Sequence, residues 1–287
     1  MTNLVEPIQD LDTFYADIAA TAQQGSLYAL IDCAFDLTIR KALRKMQSIA
    51  LYQETELADM DAYSPRLYWI SNEAEIEKII TLCQGKPMLS FIRSQAQLGA
   101  LKQHLEYLLK VYCEDNTEWP LRYADTRILP ALFNVLNKPQ LNTLLAPLHS
   151  WFILDRFGVI QRQFGSNQAD LLWGKELGVL KMDEQQFAQM LDAATADSIL
   201  ATIQEKHSSI LLPFTLTEQF KRVQQGIQDA HDVQLNTAPE MLEMALLQLM
   251  GAGDLNQSAD YQTLKNKLKD GQDLNESINH LPASFWR

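Results

Sequence analysis

Ser26-Leu27-Tyr28-Ala29-Leu30-Ile31 is a nearly uninterrupted apolar run of strand length, bounded by Gly25 before it and Asp32 after it. It lacks the polar alternation of a strand with one wet face, so it reads as a strand covered on both sides. The residues around it supply the cover. Leu11, Phe14, Tyr15, Ile18 and Ala19 recur at helical spacing behind Asp10 or Asp12, either of which can cap. Residues 37–49 return to the helical period, with Arg40, Lys41, Arg44 and Lys45 outward. An acidic, aperiodic loop over 52–64 then leads to Pro65 and a second strand, Arg66-Leu-Tyr-Trp-Ile70.

The alternation continues. Residues 72–83 read as a helix with acids in its first turns, 88–92 as a strand, 95–108 as a helix, and 110–113 with 121–123 as strands around a polar turn at 114–118. A helix over 128–136 and a hairpin of 149–154 with 159–163 complete the layer. The expected class is α/β: a mixed sheet with flanking helices in an N-terminal lobe, residues 1–178, followed by an all-helical C-terminal lobe, residues 179–287. In the second lobe helices are expected from Asp183 to Leu191, to Lys206, from Thr217 to Ala230, over 240–250 behind Pro239, and through Leu264 and Leu268. Residues 270–276 read as an acidic linker. The domain boundary falls near Gly178.

The 287 residues carry 47% hydrophobic and 21% charged side chains, which excludes disorder and fibrous classes. A formal charge of −12 without a basic stripe argues against nucleic acid. No stretch approaches ~18 consecutive apolar residues, and the N-terminus shows no basic cluster followed by an apolar segment, so a cytoplasmic protein without membrane contact is expected. Cys33, Cys83 and Cys113 lie apart among apolar residues and read as reduced core thiols.

Catalytic and cofactor motifs are not written in the chain. It contains no GxGxxG, P-loop, GxSxG or HExxH pattern, and its five histidines are scattered, so neither a cofactor nor a metal is expected and no catalytic residue is assigned. One polar constellation stands out, Arg122-Tyr-Ala-Asp125-Thr-Arg127, at a strand end and helix start. Asp125 can cap the helix while Arg122 and Arg127 flank it, which reads either as an anion site or as a structural cap with ion pairs; the structural reading is preferred. Asp32, at the carboxyl end of the first strand where α/β ligands gather, has the same two readings.

The aromatics Tyr63, Tyr68, Trp69, Trp119, Tyr123, Trp151 and Trp173 are mostly core candidates, although some can serve a partner. The helix carrying Met241, Met244 and Leu247 is apolar on more than one face and so is either central to a bundle or kept partly for binding. Met241, Met244, Leu247, Trp69 and Tyr63 are the candidate partner-binding anchors.

Tyr28-Ala-Leu-Ile-Asp32-Cys-Ala34 resembles the "YALLDGA" opening strand of the type VI secretion adaptor chaperones, a family catalogued as a domain of unknown function. Pro65-Arg-Leu67 resembles the family's "P-x-L" strand, Arg122 to Arg127 its "RFYDPR" signature, and Pro147-Leu-His-Ser-Trp151 its "GPI..W" stretch. Cys33, Ala124, Thr126 and Ala146 depart from that pattern. The resemblance covers residues 26–154 and implies Tyr28, Asp32, Pro65, Arg122, Asp125, Arg127 and Trp151 as the motif positions. It further implies a chaperone that binds a type VI effector, keeps it soluble and loads it onto the valine-glycine repeat (VgrG) spike. The rival readings are an enzyme acting on an anionic small substrate through Arg122, Asp125 and Arg127, and an immunity-like protein that neutralises a toxin.

Overall fold

In chain order the elements of the first half are α1 (Leu11–Ala20), β1 (Ser26–Asp32), α2 (Ile39–Ala42), β2 (Ser48–Ala50), β3 (Pro65–Ile70), α3 (Glu73–Cys83), β4 (Leu89–Ser94), α4 (Leu98–Glu106), β5 (Lys110–Tyr112) and β6 (Glu118–Pro120). They continue with α5 (Leu129–Val135), α6 (Lys138–Leu145), β7 (Leu148–Leu154), β8 (Ile160–Phe164) and β9 (Leu180–Lys181). The helical part comprises α7 (Glu184–Lys206), α8 (Leu216–Asp232), α9 (Ala238–Met250), α10 (Ala259–Lys269) and α11 (Leu274–Asn279). This is a computed structural model, and it describes residues 3–169 and 179–286. Trp173 and the expected boundary residue Gly178 lie outside the described residues.

Two compact units divide the chain, Met1–Leu191 and Asp192–Arg287. The first holds a six-stranded sheet of order β2-β3-β1-β4-β7-β8 and a small one of order β6-β5-β9. Every pairing in the large sheet is antiparallel, and the parallel register is confined to β5 with β9, so the mixed character expected of the layer does not extend to its main sheet. The reason lies in the crossovers. The β3–α3–β4 connection returns a strand in the same direction, as a parallel fold would, but β1 occupies the place between them and pairs with both.

Both faces of β1 are covered, as its apolar run demands. Leu27, Ala29 and Ile31 face a cluster formed with Phe14 and Ile18 of α1, Ile76 and Ile79 of α3, and Phe152. Tyr28 and Leu30 face the other cluster, with Leu101 and Leu105 of α4, Leu132 and Phe133 of α5, and Trp151. Burying a large apolar side chain contributes about 1.5–3 kcal/mol, so these two layers are what holds the lobe together.

Several local expectations are corrected. Residues 37–49 form the single turn α2 and then the edge strand β2, because Ser48 to Ala50 pair with Tyr68 to Arg66 and that ladder outweighs the helical period. The strand expected at 121–123 lies at 118–120, since a tight turn with Asn116 at φ 62° brings Thr117 against Cys113. A helix not foreseen, α6, starts at Asn137 with a capping box to Gln140 and Pro139 in its first turn. The two helices expected between Asp183 and Lys206 are one, α7. The acidic linker contains α11, capped by Asp273 onto the Glu276 amide.

In the second unit, α8 and α9 approach so closely that a Cβ on Gly226 would stand 2.5 Å from the Ala245 Cα. Met244 and Leu247 are buried in a cluster with Ala230, Tyr261, Leu264 and Phe285, and Met241 packs partly buried against it. Through the same helices runs a buried carboxylate. Asp229 accepts from Gln248 Nε2 at 2.7 Å, the Tyr261 hydroxyl at 2.9 Å and Lys265 Nζ at 3.1 Å, tying α8 to α9 and α10.

Candidate functional site

The residues singled out from the sequence converge at the carboxyl end of β1. The strand runs into a 3-10 turn, Cys33–Phe35, whose first amides need a partner; Asp32 supplies it, accepting from the Ala34 N–H at 3.0 Å. Its main-chain N–H donates to the Met88 carbonyl, and in the register of the sheet it stands opposite Pro65. The residue is 2% exposed. Its second oxygen accepts from Arg122 Nη2 at 2.9 Å, across 90 positions of sequence.

Arg122 to Arg127 form the segment between the small sheet and α5. Asp125 turns the chain, with its carbonyl accepting from the Ile128 and Leu129 amides and its carboxylate from the Arg127 amide at 3.0 Å. The Arg127 guanidinium grips the same carboxylate with Nε at 3.1 Å and Nη2 at 2.7 Å. The Arg127 ion pair stands where the sequence places it, but Asp125 does not cap α5, whose N-cap is Ile128 without a side-chain bond; its carboxylate closes a turn on the Arg127 amide instead, and Arg122 turns away from Asp125 to Asp32. Above the ion pairs lies Phe35, with the Arg122 and Arg127 guanidinium carbons each 5.3 Å from its ring centroid. A local sequence window could not reveal Phe35's role, because the contact exists only once the β1 turn meets the segment before α5.

The electrostatics follow from burial. Removal from water pushes the Asp32 carboxyl above its ordinary value, with Asp125 adding to the rise, while Arg122 and the Ala34 amide pull it back. Burial likewise holds the Cys33 thiol up at about 12, an inert protonated group. Nearby, Asp36 meets Lys86; against the desolvation that raises it, hydrogen bonds from Lys86 and Thr38 bring its carboxyl down to about 2. Each buried acid thus has its own cation or amide donors.

The remaining motif residues serve packing. The Tyr28 hydroxyl donates to the Ala96 carbonyl at 2.9 Å, and Pro65 is buried at the start of β3. Trp151 is fully buried, donates to Ser90 Oγ at 2.9 Å, and meets Tyr123 and Phe133 edge-on. Among the candidate effector anchors, Tyr63 and Trp69 stand at the surface, 47% and 39% exposed. Met244 and Leu247 do not: they fill their own unit's core and offer no surface to a partner, so the expectation that α9 presents them is corrected.

Residues 27–143 match a family model described as "Domain of unknown function (DUF4123)". The matched segment runs from β1 into α6 and contains Asp32, Arg122, Asp125 and Arg127. That family is linked with type VI secretion adaptors. No curated protein and no solved structure matches the chain. Among the described residues no helix is long and apolar enough to cross a membrane.

Proposed function

We propose that this protein is a cytoplasmic adaptor chaperone that binds a type VI secretion effector, keeps it soluble and loads it onto the VgrG spike, acting by binding and without turnover. The observation that carries the reading is the family-model match over 27–143, which includes the ion-paired cluster at the end of β1. The geometry of the cluster agrees with it: Asp32 and Asp125 are committed to Arg122 and Arg127, an arrangement that sets a turn and a surface and leaves no carboxylate poised as a general base. Exposed apolar area on a cargo costs about 25 cal/mol per Å² in water, so covering it is worth the association. Release onto the spike requires only moderate affinity or competition by the spike itself.

Co-expression with candidate type VI effectors and VgrG spikes from the same genome, followed by purification and native mass measurement, is the test. A complex of this chain with the effector, and a further one with the spike, is expected. Failure of the tagged chain to retain either protein, with the chain itself folded by circular dichroism, refutes the proposal. Turnover of a small anion that disappears in Arg122→Gln would establish the enzyme reading in its place.

A further inference from the structure

The six-stranded sheet ends in two unlike edges. β2 offers three residues, whereas β8 offers five, Ile160-Gln-Arg-Gln-Phe164, and lies outside residues 27–143 that the family model matches. An antiparallel ladder alternates hydrogen-bonded pairs with non-bonded ones. At one end of the β7–β8 ladder the Asp155 N–H donates to the Val159 carbonyl, and at the other the Gly165 N–H donates to the His149 carbonyl. In the register between them, Ile153 with Gln161 and Trp151 with Gln163 are therefore the bonded pairs. The main-chain N–H and C=O groups of Ile160, Arg162 and Phe164 consequently point away from the sheet, and among the described residues they meet no partner. None of the five residues is buried, and Phe164 is 63% exposed. Sheet edges are commonly blunted by Lys, Pro or a bulge. β8 has neither Lys nor Pro, and its register against β7 runs without a shift. Its one charge, Arg162, lies over the Phe164 ring at 4.2 Å from the centroid and over the Phe152 ring at 4.9 Å.

A row of outward main-chain donors and acceptors is matched by another extended strand. The strand's own sequence complements itself. A two-fold axis through Arg162 would set the guanidinium groups of two copies opposite each other, which is repulsive. An axis through Gln161 would set Phe164 opposite Gly158, in the hairpin turn at φ 74°, and leave the ring uncovered. An axis through Gln163 sets Arg162 of each copy opposite Phe164 of the other, so that their outward N–H and C=O groups bond and each exposed ring gains a second guanidinium. On that axis two Gln163 side chains meet, each neutral and able both to donate and to accept. We infer that β8 is a self-association edge, along which two copies of this chain pair antiparallel with Gln163 on the axis and join their large sheets into one. The formal charge of −12 opposes the approach of two copies, but exposed charges are screened beyond ~8 Å at physiological salt, which leaves the decision to the strand. The inference does not depend on the adaptor reading.

Sedimentation equilibrium of the full chain in physiological salt, from micromolar to submillimolar concentration, is expected to show a reversible monomer–dimer equilibrium. Gln163→Lys and Gln163→Glu each place like charges on the axis and should weaken association about fivefold, the order of one opposed cross-strand pair. Mixed in equal amounts, the two variants should associate again, because unlike charges then meet. Both keep the main-chain pairing of residue 163 with Trp151, and circular dichroism checks that they fold. Non-bonded antiparallel pairs bring Cα atoms to about 4.5 Å, within disulfide reach, so Gln163→Cys should cross-link on mild oxidation above the wild-type background and Gln161→Cys should not. A wild-type chain that stays monomeric throughout overturns the inference. So does association of folded Gln163→Lys and Gln163→Glu, each alone, as strong as that of the wild type, or cross-linking as ready through Gln161→Cys as through Gln163→Cys. A monomer whose effector complex is abolished by Gln163→Lys would assign the edge to a different chain and likewise overturn it.

Discussion

Replacing Asp32 by alanine removes two interactions whose sizes can be worked out separately. The Ala34 amide loses its cap, which costs about 1 kcal/mol. The Arg122 bond is charge-assisted and worth up to about 3 kcal/mol when buried, but Arg122 is half exposed and water replaces its lost partner, so we take about 1 kcal/mol. The expected total is about 2 kcal/mol. The opposite change, Arg122→Gln, leaves the carboxylate buried without its cation. Its pKa, already above the unfolded value through burial, then rises further. A carboxyl whose folded pKa exceeds its unfolded one costs stability while ionised, and that cost is relieved as pH falls through the folded pKa. Arg122→Gln should therefore destabilise more at pH 7.5 than at pH 5.5, and Asp32→Ala with Arg122→Gln should cost less than the two singly by about 1 kcal/mol. Urea unfolding followed by tryptophan fluorescence is the assay, since Trp69, Trp119 and Trp151 belong to the first unit. Strictly additive costs, or a penalty for Arg122→Gln that does not change with pH, would refute the ion pair as the organiser of this turn.

Three further outcomes are expected. Asp229→Ala strands the Gln248, Tyr261 and Lys265 donors inside the second unit and should cost about 3–5 kcal/mol, read as early loss of the Trp286 signal on denaturation; a loss below about 1 kcal/mol would mean that water fills the network. Gly226→Ala forces a methyl against the Ala245 backbone and should cost about 1–3 kcal/mol in the same assay, whereas an unchanged midpoint would deny the close approach of α8 and α9. His104 is buried with Nε2 donating to the Leu144 carbonyl, and burial depresses its pKa to about 4 although that carbonyl opposes the fall. The unfolded chain binds the proton first, so stability present above pH 6.5 should decline by about 3 kcal/mol as pH falls towards 4. His104→Gln, which keeps a donor for Leu144, should flatten that decline in urea midpoints taken at pH 7.5, 6 and 5, and an identical slope in the variant would remove His104 as its source.

The sheet core was legible because burial leaves a local mark. β1 is a nearly continuous apolar run, β3 and β4 carry short apolar cores, and α1 and α3 repeat at the helical period behind their own caps, Asp10 and Asn72. Strand order was not, because which strand slips between β3 and β4 depends on a partner 60 positions away. The candidate site divides in the same way. Asp125 with Arg127 is a two-residue contact that spacing alone suggests, whereas Arg122 with Asp32, and Phe35 against both arginines, join segments that only the finished sheet brings together. Asp229 gave no signal at all, lying among glutamines and acids in α8 that look like any solvated helix face until Tyr261 and Lys265 arrive from α10. Apolar Met244 and Leu247 are indistinguishable in sequence from a partner-facing stripe, and only the packing of α10 and Phe285 assigns them inward.

The central place of β1 has a consequence for how the chain is made. Its neighbours are β3 and β4, so this apolar stretch is synthesised ahead of both: it has no ladder until Pro65 to Ile70 follow, and one edge stays open until residues near Ser94 do. At synthesis rates of about 5–20 residues per second that is an interval of several seconds with a naked template for misassembly. A protein proposed to shield others is, in its own infancy, in want of the same shelter.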